Sequence, residues 1–223
     1  MIEYFNKAYV DFLFLQRTRL KTEYGLSKES SEKEICEALC KLTKKDYDLV
    51  AGYLPANLDG VNILDIGCGL ATIDIALSSR TKDSVYYLLD KTEDIDPNRK
   101  FNGFNAEYVF YNNLDLLREF ADKNVKNNTF EIVDASAHTQ LDKKFKLVIS
   151  LLSCGWHYSL NTYLQFIKEH LTEDGQLIID VRNGTEEPLL YATFHNVNRL
   201  YNPAEKRHDG GIVGYRYVCS LLK

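Results

Sequence analysis

A pair of glycines between a strand-like run and a helix-like run is the feature of this sequence with the clearest chemical meaning. Residues 61–66 form a short apolar run that leads into Gly67-Cys68-Gly69, and a helical pattern begins at Ala71. Because glycine has no Cβ atom, the chain can turn tightly there and its backbone can approach a ligand closely. The following helix presents free backbone N–H groups. This junction therefore favours the binding of a nucleotide-like ligand.

Carboxylates beside this loop narrow the choice of ligand. Asp90 ends the next apolar run, where a carboxylate can accept hydrogen bonds from two ribose hydroxyls. Asp65 lies two residues before Gly67, and its charge would repel a pyrophosphate. Thr72 stands where the nicotinamide fingerprint G-x-G-x-x-G has its third glycine. The pattern therefore favours a ligand with an ammonium or sulfonium group, S-adenosylmethionine, over NAD.

A histidine between two aromatic residues follows the fourth apolar run, where residues 146–152 lead into Ser-Cys-Gly-Trp156-His157-Tyr158. Ligands of open α/β sheets bind at the carboxyl ends of the strands, so His157 is a candidate base for a substrate hydroxyl. Trp156 and Tyr158 are candidates for an aromatic wall. Arg182, after the fifth run, is a candidate contact for an anionic group. The alternatives are core packing for the aromatic residues, a structural His157, and an Arg182 that pairs with a neighbouring acid.

The elements that must position these residues alternate between strand and helix. Near-continuous apolar runs, typical of a parallel sheet covered on both faces, occupy residues 61–66, 85–89, 130–133, 146–152 and 176–181. Helical patterns between them occupy residues 71–79, 114–123 and 163–171. The tail predicts a helix at 188–194 and strands at 197–201 and 212–222, joined by a turn at 207–211. We expect five parallel strands and a final antiparallel pair.

The first residues predict a helical cap ahead of this core. Helical spacing covers residues 4–24, a second helix starts near Ser31 and ends near residue 42, and a third covers 43–54. We expect one domain, with residues 1–57 as the cap and 58–223 as the core. The cap either covers a sheet edge or closes over the ligand as a lid. In the second case its candidate ligand contacts are Tyr4, Phe5, Tyr9, Arg17 and Tyr24.

Residues 64–69, Leu-Asp-Ile-Gly-Cys-Gly, resemble the first motif of class I S-adenosylmethionine-dependent methyltransferases, an acid followed by G-x-G at the end of strand one. The resemblance extends over residues 62–223. It includes the acid that ends strand two and the Asp-Ala-Ser stretch at 134–136 after strand three. It implies an α/β fold with a Rossmann-like, seven-stranded, mostly parallel sheet of order 3-2-1-4-5-7-6 and an antiparallel C-terminal strand. Ala71 departs from the glycine that is usual in this family.

The resemblance also implies a cofactor, S-adenosylmethionine, and the residues that hold it. The methionine half of the cofactor would lie against Asp65, Gly67 and Gly69, the ribose against Asp90, and the adenine against Asp134 and Ala135, and Cys68 and Leu151 would also contact the cofactor. Asp134 is alternatively a solvated turn residue, and Asp90 is alternatively a helix cap.

The resemblance implies transfer of a methyl group, and we expect the acceptor to be a hydroxyl of a small molecule or glycan, with His157 as the general base. The sequence lacks the N/D-P-P-Y/F tetrapeptide of some amino methylases, and the fourth run lacks an acid for magnesium, so we expect no metal. Residues 150–158 also resemble methyltransferases associated with surface-polysaccharide synthesis. One alternative is an RNA or protein methyltransferase, for which Lys143, Lys144 and Lys146 are the candidate basic stripe. Another is a catalytically silent partner subunit that retains the cofactor site.

The composition makes several functional classes of protein less favoured. The chain carries 27 Lys and Arg against 32 Asp and Glu, a net charge of −5, which disfavours a nucleic-acid-coating protein. Five cysteines without zinc-ligand spacing predict reduced thiols. No apolar run has the length of a membrane span, and no secretory signal follows Met1. We therefore expect a cytoplasmic protein with no membrane partner and no nucleic-acid partner, and the oligomeric state is open.

Overall fold

A seven-stranded sheet forms the centre of the molecule, in a computed structural model that describes residues 2–17, 19–93, 112–182, 184, 186–200 and 214–223. The strand order is β3-β2-β1-β4-β5-β7-β6. The strands are β1 (Asn62–Ile66), β2 (Val85–Asp90), β3 (Thr129–Asp134), β4 (Phe145–Ser150), β5 (Leu171–Arg182), β6 (Phe194–Leu200) and β7 (Gly214–Leu222). The first five strands pair in parallel, and β7 is antiparallel to both β5 and β6. The predicted strand order and the final antiparallel pair are confirmed.

Seven α-helices flank this sheet in the described part of the chain. They are α1 (Val10–Gln16), α2 (Arg19–Tyr24), α3 (Glu32–Val50), α4 (Thr72–Ser78), α5 (Leu114–Asn124), α6 (Asn161–His170) and α7 (Glu187–Thr193). None of the helices in the described ranges is long and apolar enough to cross a lipid bilayer. The turn predicted at residues 207–211 lies outside the described residues.

Apolar side chains on both faces of the sheet explain why the strands read as near-continuous apolar runs. On one face Leu64 and Ile66 of β1 pack with residues of α6. On the other face Ile63 of β1 packs with Ile73 of α4 and Tyr47 of α3. A strand that is buried on both faces has no solvent-facing positions where polar residues would alternate with apolar ones. A third group of buried apolar side chains lies between helices α1, α2, α3 and α5.

The N-terminal cap differs in detail from its prediction. Residues 4–24 do not form one helix but a 3₁₀ turn, Lys7–Tyr9, followed by α1 and α2. The two predicted helices at 31–42 and 43–54 are instead the single helix α3, which begins at a capping box made by Ser31 and Glu34. Thr43 is buried within α3, so this β-branched residue packs against neighbouring elements and does not interrupt the helix. Tertiary packing outweighs the small helix penalty of such a residue.

Candidate functional site

The glycine loop is folded as the sequence predicts, in backbone conformations that favour glycine. Gly67 and Gly69 have φ angles of 72° and 54°, and Ala71 adopts a left-handed φ of 50° at the start of α4. A Cβ atom added to Gly67 would lie 1.8 Å from the Oγ atom of Ser153. The backbone N–H of Gly67 donates to the carbonyl of Leu89 over 2.7 Å. The loop is therefore bonded to β2 and packed directly against the residues that follow β4.

Asp90 lies at this loop, as predicted, and holds its backbone. One carboxylate oxygen, Oδ2, accepts a hydrogen bond of 2.9 Å from the N–H of Gly69, and Oδ1 accepts one of 2.8 Å from the N–H of Lys91. The side chain is buried, and this burial raises the pKa of Asp90 to about 6 despite the two backbone donors. Asp90 thus fixes the distance between the end of β2 and the loop after β1.

Asp65 points to the α4 side of β1, on the same face as Ile63. It is buried, and its Oδ1 atom has no hydrogen-bond donor. Burial and the nearby carboxyl of Asp74 raise the pKa of Asp65 well above its usual range. Cys68 is also buried in the loop, and burial raises the pKa of its thiol. The end of β1 therefore contains a buried acceptor that suits a cationic donor.

Asn112 is a site residue that the sequence pattern did not predict. Its Nδ2 atom donates to the carbonyl of Gly69 over 3.0 Å, and its Oδ1 atom accepts from the hydroxyl of Tyr9. The Nε2 atom of Gln16 donates to the same hydroxyl over 2.8 Å. A Cβ atom at Gly69 would lie 3.0 Å from Oε1 of Gln16. The end of α1 therefore lies directly over the glycine loop.

Arginines fasten this N-terminal segment, residues 2–17 and 19–24, to the core. Arg17 donates to Oγ1 of Thr72 over 2.9 Å and to Asp46 of α3 over 3.3 Å. Arg19 donates to the other oxygen of Asp46 over 3.1 Å. Of the five candidate lid residues, Arg17 thus contacts the start of α4, and Tyr9 contacts Asn112, which donates to the carbonyl of Gly69.

The other three candidate lid residues contact helices. Tyr4 donates to Glu119 of α5, Phe5 is buried in the cluster between the helices, and Tyr24 lies beneath the ammonium of Lys45. One part of the segment therefore packs on α3 and α5 and the other lies over the glycine loop, and its role as an edge cover or as a lid stays a prediction.

Hydrogen bonds of Ser150, the last residue of β4, join the turn after β4 to the end of β1. The hydroxyl of Ser150 donates to the carbonyl of Ile66 over 2.9 Å and accepts from the N–H of Cys154 over 3.0 Å. Leu152 has a φ of 55° in the turn. Leu151 is half-buried and packs on the α4 side of the sheet. These bonds bring the stretch after β4 to the glycine loop, as the sequence predicts for two neighbouring strand ends.

Two hydroxyl groups meet where this stretch contacts Gly67. The Oγ atom of Ser153 and the hydroxyl of Tyr158 lie 3.1 Å apart, and both side chains are buried. Burial raises the pKa of Tyr158 well above its usual value. Ser153 was not among the predicted site residues. A serine after a strand gives no signal by itself, since its importance comes from the contact with Gly67 across the sheet.

Trp156 and Arg182 contact one another. The Nε atom of Arg182 donates to the carbonyl of Trp156 over 2.7 Å, and its guanidinium lies 5.2 Å from the indole ring centre. The side chain of Trp156 is only 3% exposed, and a Cβ atom at Gly214 of β7 would lie 2.2 Å from it. His157 is half-buried between Trp156 and Tyr158, and its N–H donates to the carbonyl of Ser153 over 2.8 Å. Trp156, a predicted substrate contact, therefore packs against the end of β5 and the start of β7.

The end of β3 lies beside Asp90, because Asp90 and Asp134 are register partners in the sheet. The carboxylate of Asp134 accepts from the N–H of Ser136 over 2.8 Å, and hydrogen bonds from Ser136 lower the pKa of Asp134. Ala135 is buried, and its carbonyl lies 2.8 Å from Nδ1 of His138. Asp134 thus caps the turn that carries the predicted adenine contacts.

The lysines of the candidate basic stripe lie at the other edge of the sheet. Lys143 and Lys144 precede β4 and Lys146 is its second residue, whereas the glycine loop follows the carboxyl end of β1. Lys146 contacts Asp174 near the start of β5. Among the described residues, no group of three or more His, Cys, Asp and Glu side chains is arranged to hold a metal ion. All five cysteines are free thiols.

No family model matches the sequence, and no curated protein is significantly similar to it. Solved structures do match. The magnesium protoporphyrin IX methyltransferase of Synechocystis, crystallised with S-adenosylmethionine, is 17% identical, with coverage of 100% of this chain and 99% of that one and a TM-score of 0.51. A TehB-like S-adenosylmethionine-dependent methyltransferase of Corynebacterium glutamicum is 17% identical, with coverage of 97% and 100% and a TM-score of 0.50.

A third match extends over less of this chain. The precorrin-6y C5,15-methyltransferase of Geobacter metallireducens is 16% identical, covers 80% of this chain and 87% of its own, and has a TM-score of 0.50. Together with the strand order, these likenesses establish the fold. The chain has the Rossmann-like fold of class I S-adenosylmethionine-dependent methyltransferases.

Proposed function

We propose that this protein is a methyltransferase that uses S-adenosylmethionine. The observation that carries the proposal is the tie between Asp90 and the N–H of Gly69, over 2.9 Å, on a sheet of this strand order. It holds a ribose-binding type of acid at a glycine loop whose left-handed backbone directly follows β1. A fold alone does not define an activity, so the proposal rests on this site.

The residues at the loop fit the cofactor. The buried Oδ1 atom of Asp65 has no donor, and an ammonium group would satisfy it, whereas a pyrophosphate would be repelled. In this proposal the residues that hold the cofactor are Asp65, Gly67, Cys68, Gly69 and Leu151 at the methionine half, Asp90 at the ribose, and Asp134 with Ala135 at the adenine. When bound, the cofactor supplies a methyl carbon activated by its sulfonium group.

The acceptor would lie at the carboxyl end of β4. There His157 would take a proton from a substrate hydroxyl, and alignment of that hydroxyl would supply much of the rate. Tyr158, Trp156 and Arg182 would line the acceptor side, with Arg182 held by its bond to the carbonyl of Trp156.

We further propose a small molecule or a glycan as the acceptor. Two observations support this choice. The net charge is −5, and the lysines at 143, 144 and 146 lie at the amino end of β4, the opposite edge from the glycine loop. A polyanionic substrate would be attracted by cations on the same edge as the methyl donor, and these three lysines do not lie on that edge.

Calorimetric titration tests the cofactor assignment. We expect wild-type protein to bind S-adenosylmethionine and S-adenosylhomocysteine but not NAD. Asp90→Ala is expected to weaken binding by about tenfold or more, because a charge-assisted hydrogen bond contributes about 1.5–3 kcal/mol. Asp115→Ala, an exposed first-turn aspartate of α5, is the control and is expected to bind like wild type. Absence of binding of both sulfur compounds would refute the proposal.

His157 is tested by turnover. Release of S-adenosylhomocysteine is measured with a panel of hydroxylated small molecules and oligosaccharides. His157→Ala is expected to retain cofactor binding and lose about a hundredfold or more in rate, the usual contribution of a general base. His195→Ala, on the exposed edge strand β6, is the matched control. Equal rates for the two variants would refute the assignment of His157 as the base.

A further inference from the structure

Two buried carboxyl groups face each other behind the glycine loop. Asp65 comes from β1, and Asp74 comes from the first turn of α4. Their exposed fractions are 3% and 0%. Oδ1 of Asp65 and both carboxylate oxygens of Asp74 have no hydrogen-bond donor, and the two groups are close enough to share a hydrogen bond once one of them is protonated.

No cation neutralises this pair by direct contact among the described residues. The guanidinium of Arg17, which acts on both acids, donates to Thr72 and Asp46. It favours the ionised form of both acids only through space. The other titratable groups that face the pair are Cys68 of the loop and Asp90 and Tyr86 of β2.

Elementary electrostatics limits how many charges this pair can carry. Two ionised carboxylates in a buried space without donors repel each other and lose their hydration. A single proton between them removes one charge and supplies the missing donor, as in other buried acid pairs. Burial accordingly raises the pKa of Asp74 to about 7, and burial together with the neighbouring Asp74 raises the pKa of Asp65 well above its usual range.

We propose that Asp74 is a positioning residue of the cofactor site, which shares one proton with Asp65 and yields it to solvent when the cofactor's ammonium group binds to Asp65. The inference rests on the proposed function. The step balances: the ammonium brings N–H donors to Asp65 and one positive charge that offsets the second ionised carboxylate, the shared proton leaves to water, and the net charge of the site stays the same. Cofactor affinity then rises with pH while the unliganded pair still holds its proton.

The experiment measures proton release when S-adenosylhomocysteine binds. Titrations are run in buffers of different ionisation enthalpy between about pH 6 and about pH 8, where the pair titrates. Wild type is expected to release protons, and its affinity to rise by up to about tenfold per pH unit. Asp74→Asn keeps a permanent donor to Asp65, so it is expected to bind the ligand without that release. Asp115→Asn, another first-turn aspartate, is the matched control and should release protons like wild type.

The outcomes separate this inference from the proposed function. If S-adenosylhomocysteine binds and Asp74→Asn releases as many protons as wild type, the shared proton is refuted while the cofactor assignment stands. If the ligand binds at no pH, the cofactor assignment itself fails. Asp90, whose pKa is about 6, titrates in both wild type and Asp74→Asn. Its contribution to proton release therefore cancels when the two are compared.

A second measurement needs no variant and no ligand. Nuclear magnetic resonance of isotope-labelled aspartate carboxyl carbons reports the protonation of each group in the unliganded wild type. We expect one aspartate pair to keep its proton near pH 7, where exposed aspartates are ionised. Complete ionisation of all aspartates at that pH would overturn the proposal even if Asp74→Asn failed to fold.

Discussion

At the scale of single residues, Gly67 and Ser153 share a space too small for one more methyl group. The Cβ position of Gly67 lies 1.8 Å from Oγ and 2.5 Å from Cβ of Ser153. Gly67 also has a φ of 72°, which disfavours any side chain. The loop after β1 and the turn after β4 therefore form one packed unit, so that the proposed cofactor and acceptor sides are held in fixed relation.

Gly67→Ala is expected to destabilise the protein through both effects. The left-handed backbone costs about 1–2 kcal/mol for a residue with a Cβ atom, and overpacking against Ser153 adds about 1–3 kcal/mol. Urea unfolding measures the sum, and the affinity for S-adenosylhomocysteine is expected to fall with it.

Gly60→Ala is the matched control for this clash. Gly60 has a φ of 66°, and a Cβ atom there would meet nothing within 4 Å, so only the backbone cost of about 1–2 kcal/mol is expected. The double variant Gly67→Ala with Ser153→Gly is expected to recover part of the loss. Equal destabilisation by the two single alanine variants would contradict the packing described here.

At the scale of the elements, a buried ion pair joins β5 to β7. Arg216 donates from Nε and Nη2 to the two carboxylate oxygens of Asp180, over 2.8 and 2.9 Å. Their side chains are 3% and 0% exposed, and the two residues are register partners in the antiparallel pairing. The pair therefore marks the register of the last strand against the parallel part of the sheet.

Arg216→Met is expected to lower the free energy of unfolding by about 3–5 kcal/mol, because it leaves the carboxylate of Asp180 buried without its partner. Urea unfolding measures the loss. The double variant Asp180→Leu with Arg216→Met removes both charges and is expected to recover most of it. A double variant as unstable as the single one would show that the pair's charges do not govern this junction.

The cap depends on a different electrostatic contact, in which Asp46 of α3 accepts from Arg17 and Arg19. Asp46→Asn keeps the shape but removes the charge. Because the two arginines are about one fifth exposed, solvent screening reduces the loss to about 1 kcal/mol. Amide hydrogen exchange in α1 and α2 is expected to become several-fold faster.

Asp48→Asn is the control for the cap. Asp48 lies on the same helix and pairs with Lys44 at the exposed surface, so its variant is expected to leave exchange in α1 and α2 unchanged. If Asp46→Asn also left exchange unchanged, the arginines would not be what holds the cap over the glycine loop.

At the scale of the whole molecule, much of the fold was predictable because it follows from short-range patterns. Apolar runs separated by helical patterns gave the parallel strands, and the motif at residues 64–69 gave the strand order through its family resemblance. The same motif located Gly67 and Gly69, and the end of the second apolar run located Asp90; the structure brings the three together. The helix boundaries were less accurate at the cap, where α3 continues through Thr43 because its burial outweighs its propensity.

The residues that sequence reasoning missed are all defined by contacts between different elements of the fold. Asn112 contacts Gly69 and Tyr9, Ser153 contacts Gly67, and Asp74 faces Asp65. A single asparagine, serine or aspartate does not form a sequence pattern from which such a contact could be predicted. Asp74 offered one signal, since a charged residue on the buried stripe of a short helix requires a partner.

The most direct test of the central claim is a crystal structure of the protein with S-adenosylhomocysteine. The account predicts the ligand along the carboxyl ends of β1 and β2, with its ribose hydroxyls on Asp90 and its amino group on Asp65. Crystals that bind no ligand at saturation would contradict the account. So would a ligand bound elsewhere, for example in the groove of about 590 Å³ between the first residues of the chain and α3.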